Sequence, residues 1–515
     1  MREHRLMFYH SQEKNHIHYH PFEAVAAGMP LVFMAGGLLD MLGGSSLPGR
    51  CNSIEQARSK IKRILAGDER LIRSIRSTQP ILLDAIKAES CSPAWRTGFQ
   101  QVLRELDLAR VNTTLRPMVV RKRVAVILPI AYKGGSLRGA KLIAEAIQLG
   151  SREAGEPVEV VFAHLDSEGA YSADDFDDLP RGIKRRPFNL RDISASDAKR
   201  AMRYAGHDDW EPQAERYVIL DDGIKQFVDC DLWLIVSDRL MAPILPLRVI
   251  AHMVYDYLQR YVPFLPKGAD QPFLDAARVA ERVFVTTNFT RVDALQYAGV
   301  SPHKVVKLPM LAPLCVSNEC AVSQAESDYF IWTTNLAQHK NHDKALRALQ
   351  IYYGDLGGSL RCVITGVDTD SLLSSSLPHL KSVMAGKKNN KGLQRRLTLC
   401  GNLSDKDYLR QLSGAAFLWH PCRIDNGTFS VIEAARLGVP ALSSDYPAMR
   451  EIDDQFRLNL MWQMADDARS MADALLKMER DYTALKGKLP TADELATQDV
   501  QRLAGDYWKA IHECL

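Results

Sequence analysis

Short apolar runs rich in β-branched residues alternate with amphipathic stretches along the middle of the chain. Such runs are typical of parallel strands that are covered on both faces. They predict buried strands at residues 123–129, 158–163, 232–236 and 283–285. A helical pattern covers residues 140–149, and a polar turn after the fourth run leads into another helix. Strands and helices that alternate with short turns predict a doubly wound α/β lobe.

A second series of the same kind follows residues 309–327, which show little periodicity and predict a linker between two lobes. Its apolar runs predict strands at residues 329–332, 361–364, 397–399, 416–419 and 441–442. The amphipathic stretches between them predict helices at residues 343–353, 406–412 and 431–437. Two facing α/β lobes leave a cleft outside the carboxyl ends of their strands, where ligands of open α/β sheets bind.

The start of the chain repeats the pattern of its end. Predicted strands at residues 6–9 and 31–33 flank a helix that carries Glu23 and a Gly-x-Pro turn. Helical patterns follow at residues 53–65, 69–75, 80–89 and 94–108. The order of strand, glutamate-bearing helix, Gly-x-Pro turn and strand recurs within residues 410–513. We therefore predict an internal repeat and three domains, at residues 1–120, 121–312 and 328–515.

Size, charge and cysteine content limit the classes of function. A chain of 515 residues is too long for a single core. Its formal net charge of +3 gives no bulk field that would draw it to nucleic acid. Nine scattered cysteines without zinc-ligand spacing favour a reducing, cytosolic compartment. The sequence shows no apolar run of about 18 residues, so no membrane-spanning helix is predicted.

Two clusters of basic residues bear on membrane contact. The first comprises Arg181, Lys184, Arg185, Arg186 and Arg191, and the second comprises Lys387, Lys388, Lys391, Arg395 and Arg396. One interpretation is that both are solvated loops. The other is peripheral contact with an anionic lipid surface or with a phosphorylated lipid acceptor.

The most informative motif is a pair of acids, Asp425 and Glu433, with a polar glycine-containing turn between them. The turn precedes a predicted helix, so the amides of Gly427, Thr428 and Phe429 can face an anion with the helix dipole behind them. Asp425 can then accept hydrogen bonds from sugar hydroxyls, and Glu433 can accept them from ribose. Acceptors for hydroxyls beside donors for a diphosphate are what a sugar nucleotide needs.

A purely structural interpretation of the same residues is open. Residues 430–433 fit a capping box that starts at Ser430, in which Glu433 only satisfies a backbone amide. Asp-Asn-Gly is also a common turn sequence. The position of the motif after a late strand of the second lobe favours the functional interpretation.

Three further positions would complete a nucleotide-sugar site. Lys340 follows the first strand of the second lobe, so its ammonium could compensate the charge of a leaving diphosphate. Gly134 and Gly135 follow the first strand of the first lobe and would allow a ligand to approach the backbone closely. Asp256 follows a short apolar run and could act as a general base or as an acceptor clamp. The ordinary alternatives are a solvated lysine, a common turn and a surface aspartate on a helix.

In their order along residues 121–513, these motifs resemble family 4 of the retaining glycosyltransferases, which have the GT-B fold of two Rossmann-like lobes. The shared elements are Gly134 with Gly135, Tyr255 with Asp256, the turn at residues 287–290, Lys340 with Asn341, residues 401–405 and the two acids. The resemblance matches Asp425 and Glu433 to the two glutamates of the family motif.

The resemblance also implies roles for these residues. The acid pair binds the donor sugar and the ribose, and Lys340 binds the diphosphate. The remaining donor-binding positions are Gly134, Gly135, Asn341, Gly427, Thr428, Phe429 and Ser430. The resemblance implies no catalytic metal and no cofactor besides the NDP-sugar substrate.

The sequence departs from the family pattern in two places. The usual arginine a few residues before Lys340 is absent, and Tyr255 stands where a histidine is usual. The Asp-Asn-Gly-Thr-Phe-Ser loop resembles that of bacterial enzymes that build mannose-containing surface polysaccharides, which implies GDP-mannose as the donor.

Residues 1–105 resemble the tail of a second donor lobe. Glu23 matches Glu433, but Asn15 replaces the first acid, so this piece cannot form a complete donor site. It is expected to be either the end of a preceding domain in a longer tandem enzyme or a remnant that serves packing or dimerisation.

The main hypothesis is a cytoplasmic retaining hexosyltransferase that transfers a hexose from an NDP-sugar to a growing surface polysaccharide or lipid-linked glycan. The alternative is a non-catalytic glycan-binding or scaffold protein derived from such an enzyme, which Asn15 and the missing arginine favour. A phosphorylase of similar fold would need a lysine for a pyridoxal cofactor, and no lysine in the sequence is evident for that role.

Overall fold

In a computed structural model, the chain forms two compact units, Met1–Val119 and Val120–Leu515. The structure describes residues 4–112, 121–167, 169, 171–237, 239–262, 266–313, 327–380, 391–425 and 428–515. Within these ranges, no helix is long and apolar enough to cross a membrane.

The first unit is a small parallel sheet with helices. Its strands are β1 (Met7–Tyr9), β2 (Leu31–Met34) and β3 (Arg50–Cys51), paired in that order. Its helices are α1 (Tyr19–Ala26), α2 (Leu38–Met41), α3 (Ile54–Leu65), α4 (Glu69–Thr78), α5 (Ile81–Asp84) and α6 (Ala88–Asn112). The buried side chain of Gln79 ties a helix end to the sheet. It accepts from the amide of Leu31 at 2.9 Å and donates to the carbonyl of Met29 at 2.8 Å.

One helix prediction for the first unit is wrong, and another is confirmed but too short. Residues 80–89 do not form one helix, because α5 ends at Asp84 and α6 begins at Ala88. The predicted helix at residues 94–108 is only part of α6, which continues through Pro93. Proline usually starts or interrupts a helix, so the sequence pattern suggests a boundary there that the structure does not have.

The second unit contains two larger sheets, each the centre of a lobe. The strands of the first lobe are β4 (Arg123–Leu128), β5 (Glu159–Leu165), β6 (Lys184–Ser194), β7 (Arg216–Asp221), β8 (Leu232–Val236), β9 (Val249–Met253), β10 (Arg282–Val285) and β11 (Val305–Lys307). They lie in the order β11-β10-β9-β8-β4-β5-β6-β7, and all neighbours are parallel except β6 and β7. The helices of this lobe are α7 (Gly135–Glu153), α8 (Ala195–Tyr204), α9 (Gln271–Val279) and α10 (Asn288–Gln296).

The second lobe has a parallel six-stranded sheet. Its strands are β12 (Tyr329–Thr333), β13 (Arg361–Thr365), β14 (Leu397–Leu399), β15 (Leu418–His420), β16 (Ala441–Ser444) and β17 (Met461–Gln463), in the order β14-β13-β12-β15-β16-β17. Its helices are α11 (His342–Gly354), α12 (Lys391–Gln394), α13 (Asp405–Ser413), α14 (Ser430–Arg436), α15 (Pro447–Phe456), α16 (Ala468–Lys486), α17 (Ala492–Ala496) and α18 (Val500–His512). The predicted α/β class with two doubly wound lobes is confirmed.

The edge of the first sheet differs most from the sequence prediction. The hydrophobic pattern does not predict β6, because this strand is rich in charged residues, and the interpretation of the first basic cluster as a loop is wrong for Lys184–Ser194. Arg186 in β6 donates to the carboxylate of Asp229 at 2.8 and 3.0 Å, and Lys184 pairs with Glu159 at 2.5 Å. Part of the basic cluster is therefore neutralised within the lobe. Of the second basic cluster, Lys387 and Lys388 lie outside the described residues.

Two sets of contacts outside the cavity help to fix the lobes to each other. The last helix, α18, returns to pack on α7 of the first lobe, where a Cβ on Gly150 would lie 2.2 Å from the carbonyl oxygen of Ala504. In the second set, the carboxylate of Glu451 on α15 accepts from the amides of Asn288 at 2.7 Å and Phe289 at 2.8 Å. A side chain of the second lobe thus caps helix α10 of the first lobe.

Candidate active site

A cavity of about 720 Å³ lies between the two lobes of the second unit. Loops at the carboxyl ends of strands from both sheets contribute to its wall, as expected for ligand sites of open α/β sheets. The predicted site residues that line it are Gly134, Gly135, Asp256, Lys340, Asp425, Thr428, Phe429, Ser430 and Glu433. Gly427 lies outside the described residues.

Lys340 and Asp425 form an ion pair in this cavity. The ammonium of Lys340 donates to the Asp425 carboxylate, and both side chains are mostly buried. Asp425 also accepts from the hydroxyl of Thr428 at 3.1 Å. Burial on its own lowers the pKa of Lys340, but the Asp425 carboxylate outweighs it and raises the pKa above its ordinary value. Burial likewise raises the pKa of Asp425, but Lys340 outweighs it and holds the pKa well below the usual range. Both groups are therefore charged at neutral pH.

Glu433 sits on the first turn of α14 and is only 1% exposed. One of its carboxylate oxygens accepts from Arg138 Nη1 at 2.5 Å, and the other accepts from the hydroxyl of Tyr408 at 3.1 Å. The capping-box interpretation is wrong, because Phe429 is the N-cap of α14 and no side chain caps this helix start. A buried carboxylate bound by an arginine of one lobe and a tyrosine of the other is instead a component of the cleft.

Asn341 lies beside Lys340 but does not line the cavity. It is 2% exposed, and its side-chain amide donates to the carbonyls of Pro421 at 3.0 Å and Ala465 at 2.8 Å. These bonds hold together the loops after β15 and β17. A direct contact between Asn341 and a donor stays a prediction.

The glycines of the first lobe bring its backbone against the second lobe. Gly134 has φ +69°, a conformation that favours glycine, and it caps the start of α7. A Cβ on Gly135 would lie 3.9 Å from the ring of Phe429. One turn further, a Cβ on Gly139 would lie 2.4 Å from the hydroxyl of Tyr255, so a larger side chain at this position would require the Tyr255 ring to move. The glycines of α7 thus allow the side chains of Phe429 and Tyr255 to pack directly on this helix.

Asp256 lies in the loop after β9 and not on a helix, so the alternative of a surface helix aspartate is wrong. Its carboxylate accepts from Arg239 Nη2 at 2.8 Å and from the amide of Leu258 at 3.1 Å. Burial raises the pKa of Asp256, and the guanidinium of Arg239 opposes that rise. The same guanidinium lies 4.0 Å from the ring centre of Phe273. Burial outweighs Arg239, so the pKa of Asp256 lies above its ordinary value. The roles of general base and of acceptor clamp both stay predictions.

Three side chains of the site were not predicted from the sequence: Arg138, Arg239 and Tyr408. Arg138 follows Gly135 by three residues, which places it on the first turn of α7 and gives the one local signal that could have found it. Arg239 follows β8, and Tyr408 lies on α13. Two arginines of the first lobe, Arg138 and Arg239, therefore line the cleft.

One group of side chains has the composition of a metal site. Ligand atoms of His339, Cys422 and Asp425 lie within 4.8 Å of one another. Burial raises the pKa of the Cys422 thiol to about 12, and burial together with Lys340 lowers the pKa of His339 to about 4. The ammonium of Lys340 already binds Asp425 and would repel a cation. These residues do not fit a metal ion.

The matching residues of the first unit have different surroundings. Glu23 and Asn15 are both exposed, whereas Glu433 is buried in the cleft. The interpretation of this unit as a donor-lobe remnant stays a prediction.

Comparison with known proteins relates the lobe that carries Lys340, Asp425 and Glu433 to a protein family. Residues 321–490, which cover the second lobe except its last helices, match the family described as Glycosyl transferases group 1. No match was found among curated protein sequences.

Solved structures show the same architecture. The complex of Anabaena HepE with UDP-glucose has a TM-score of 0.54 and 12% identity, over 76% of this chain and 99% of HepE. TarM has a TM-score of 0.52 and 10% identity, over 78% of this chain and 99% of TarM. A glycosyltransferase from Rickettsia africae has a TM-score of 0.50 and 12% identity, over 76% and 98% of the two chains. The second unit therefore has a GT-B-like fold with two Rossmann-like lobes. The fold and the domain match together support a glycosyltransferase.

Proposed function

We propose that the protein is a retaining hexosyltransferase, with an NDP-sugar as donor and a growing surface polysaccharide or lipid-linked glycan as acceptor. The observation that carries this proposal is the meeting of Lys340, Asp425 and Glu433 in one cleft of a GT-B-like fold. The structure of HepE holds UDP-glucose, which supports a nucleotide sugar as donor. GDP-mannose is the donor that we expect from the sequence of the loop at residues 425–430.

Each of the three residues has a role that follows from its charge and position. Lys340 compensates the negative charge that grows on the diphosphate as it leaves. Asp425 accepts hydrogen bonds from hydroxyls of the transferred sugar, and Glu433 accepts them from the ribose. Donor binding therefore rearranges the Lys340–Asp425 pair, since the ammonium exchanges part of its contact with the carboxylate for the diphosphate.

The bond between the anomeric carbon and the diphosphate breaks, and the diphosphate keeps the electron pair. The acceptor hydroxyl forms the new bond on the same face and gives its proton to the departing diphosphate oxygen, so the anomeric configuration is retained. No protein nucleophile takes part. The positive charge of Lys340 stabilises the leaving diphosphate, a role that a metal ion has in other transferases. Asp256, held by Arg239, positions the acceptor.

One observation favours the alternative of a non-catalytic glycan-binding protein. Both acids of the cleft are already paired with cations of the protein, Asp425 with Lys340 and Glu433 with Arg138. A cleft whose charges neutralise one another could bind an uncharged glycan without any nucleotide.

Thermal-shift measurements with GDP-, UDP- and dTDP-sugars separate the two functions, because a ligand that binds the native fold raises the melting temperature. A transferase shows a shift with at least one donor and releases nucleoside diphosphate in the presence of acceptor. A scaffold protein shows neither response.

Transfer activity of Lys340→Ala and Glu433→Ala then tests the site. Lys141→Ala and Glu479→Ala are matched controls, because both residues make comparable polar contacts away from the cavity lining. We expect loss of transfer in the first two variants, wild-type activity in the controls and no effect of a chelator. Near-full activity of both site variants would contradict the assignment.

A further inference from the structure

The ion pair between Arg138 and Glu433 is the contact of the cleft that the proposed roles do not explain. Arg138 belongs to α7 of the first lobe, and Glu433 belongs to α14 of the second lobe. The two residues are 295 positions apart, and their side chains are 24% and 2% exposed. A pair of this kind exists only while the two lobes stand at this separation.

The contacts of Glu433 are divided between the lobes. The hydroxyl of Tyr408, from the second lobe, binds one carboxylate oxygen, and Arg138 binds the other. Without Arg138 the carboxylate would keep one neutral partner in a buried setting, which is costly for a charged group. The orientation of the Glu433 carboxylate therefore depends on a residue of the opposite lobe.

The guanidinium of Arg138 has donor capacity that the protein does not use. Its Nε is buried and, among the described residues, has no hydrogen-bond partner. The guanidinium also lies 5.8 Å from the ring centre of Phe429, in the loop between the two acids. Buried donors are normally satisfied in folded proteins, and here the hydrogen bond that the guanidinium makes to a described residue goes to Glu433.

We infer that Arg138 is a positioning residue of the donor site: from the first lobe it holds the Glu433 carboxylate in place for the ribose of the nucleotide. This inference rests on the proposed function. It means that the donor site is complete only when both lobes contribute, although the donor itself is bound mainly by the second lobe. It also gives a role to the first-lobe arginine that stands in the cleft while the usual second-lobe arginine is absent.

The test is a double-mutant cycle on nucleotide binding, measured by calorimetry on the full chain with UDP and GDP as probes. We expect Arg138→Ala and Glu433→Ala each to weaken binding of the preferred nucleotide about tenfold or more. In the Glu433→Ala background, Arg138→Ala should change binding less than twofold, because a residue that acts through Glu433 has nothing left to position.

Two further variants distinguish positioning from a general loss of structure. Arg436→Ala is the matched control, because Arg436 lies on the same helix as Glu433 and makes a similar 2.5 Å pair with Asp499 away from the cavity lining. It should bind nucleotide as the wild type does. Arg138→Lys keeps the positive charge and should recover part of the binding, and it carries the test if the alanine variant does not fold.

Steady-state kinetics give an independent readout. Arg138→Ala should raise the KM for the donor strongly and leave the KM for the acceptor within about twofold of wild type, since Glu433 serves the donor. Binding by Arg138→Ala within twofold of wild type would overturn the inference, as would effects of Arg138 and Glu433 that simply multiply. A wild-type protein that shows no thermal shift with any of the GDP-, UDP- and dTDP-sugars would overturn the proposed function, so the two failures are distinguishable.

Discussion

The ammonium of Lys340 donates to the carboxylate of Asp425 inside the cleft. Lys340 is expected to bind the diphosphate and Asp425 is expected to bind the sugar, so the charges of these two side chains neutralise each other. The side chains are 16% and 13% exposed. Each charge offsets part of the cost of burying the other. The pair therefore links the stability of the fold to the donor site.

The first prediction concerns this link. Lys340→Ala and Asp425→Ala should each lower the free energy of unfolding by roughly 3 kcal/mol, because each leaves a buried charge without its partner. The double variant Lys340→Met with Asp425→Leu should lose much less than the sum of the single effects, because it leaves neither charge behind. Urea unfolding of the three variants measures this coupling.

Asp328→Ala is a suitable control for the stability series. Asp328 pairs with Arg361, but its side chain is 72% exposed, and exposed pairs contribute about 1 kcal/mol or less. Additive losses at Lys340 and Asp425 would show that the two residues do not stabilise each other.

The second prediction is a pH dependence of the same pair. Lys340 holds the pKa of Asp425 in the folded protein below its ordinary value of 3.8, against the effect of burial. A carboxyl with a lowered pKa stabilises the fold above its unfolded-state pKa, and this contribution is lost as the pH falls further. The stability difference between the wild type and Asp425→Asn should therefore be constant from pH 5 to 7 and shrink below about pH 4. Urea midpoints between pH 3 and pH 7 test this, and a difference that stays constant down to pH 3 contradicts it.

The sequence predicts the parallel strands whose apolar runs are continuous, but it misses β9, β11 and β17, which are also parallel strands of the two larger sheets. The strand Leu232–Val236 has the predicted bounds. The strand Lys184–Ser194 is missed because charged side chains that pair within the lobe give it the composition of a solvated loop. Local pattern cannot distinguish a charge paired across a sheet from a charge in water.

The same limit applies to the site. The spacing of Asp425 and Glu433 marks both acids as candidates, but a capping box and a ligand acceptor have the same sequence. The choice between them depends on Arg138, which is 295 positions away from Glu433 and becomes its partner only through the fold of two lobes. Motifs therefore predict which residues belong to the cleft, whereas their partners need the tertiary structure.

The third prediction concerns the capping of α10 by the opposite lobe. The carboxylate of Glu451 binds the amides of Asn288 and Phe289 and the ammonium of Lys307, at 2.7 to 2.9 Å. Glu451→Ala should lower the free energy of unfolding by about 1 to 2 kcal/mol, the usual cost of a lost cap. Because the cap crosses between lobes, the variant should also increase the radius of gyration in solution scattering.

Asp467→Ala separates these two effects of Glu451. Asp467 caps α16 within the second lobe, where it accepts from the amides of Arg469 at 2.8 Å and Ser470 at 3.2 Å. Asp467→Ala should lower the free energy of unfolding by an amount similar to that of Glu451→Ala and leave the radius of gyration unchanged. Equal scattering from both variants would show that Glu451 does not hold the lobes together.

The fourth prediction tests the return of the last helix to the first lobe. A Cβ on Gly150 of α7 would lie 2.2 Å from the carbonyl oxygen of Ala504 and 2.7 Å from Cβ of Trp508, both on α18. Backbone cannot yield as a side chain does, so Gly150→Ala should lower the free energy of unfolding by about 3 kcal/mol. Gly505→Ala, on the exposed face of α18 with no atom within 4 Å of the added Cβ, should instead raise it by up to about 1 kcal/mol, since alanine favours the helix. Thermal or urea unfolding measures the change in stability of the two variants. If α18 packs on α7, Gly150→Ala loses stability and Gly505→Ala gains it. A gain of stability in both variants would show that the two helices are not in contact.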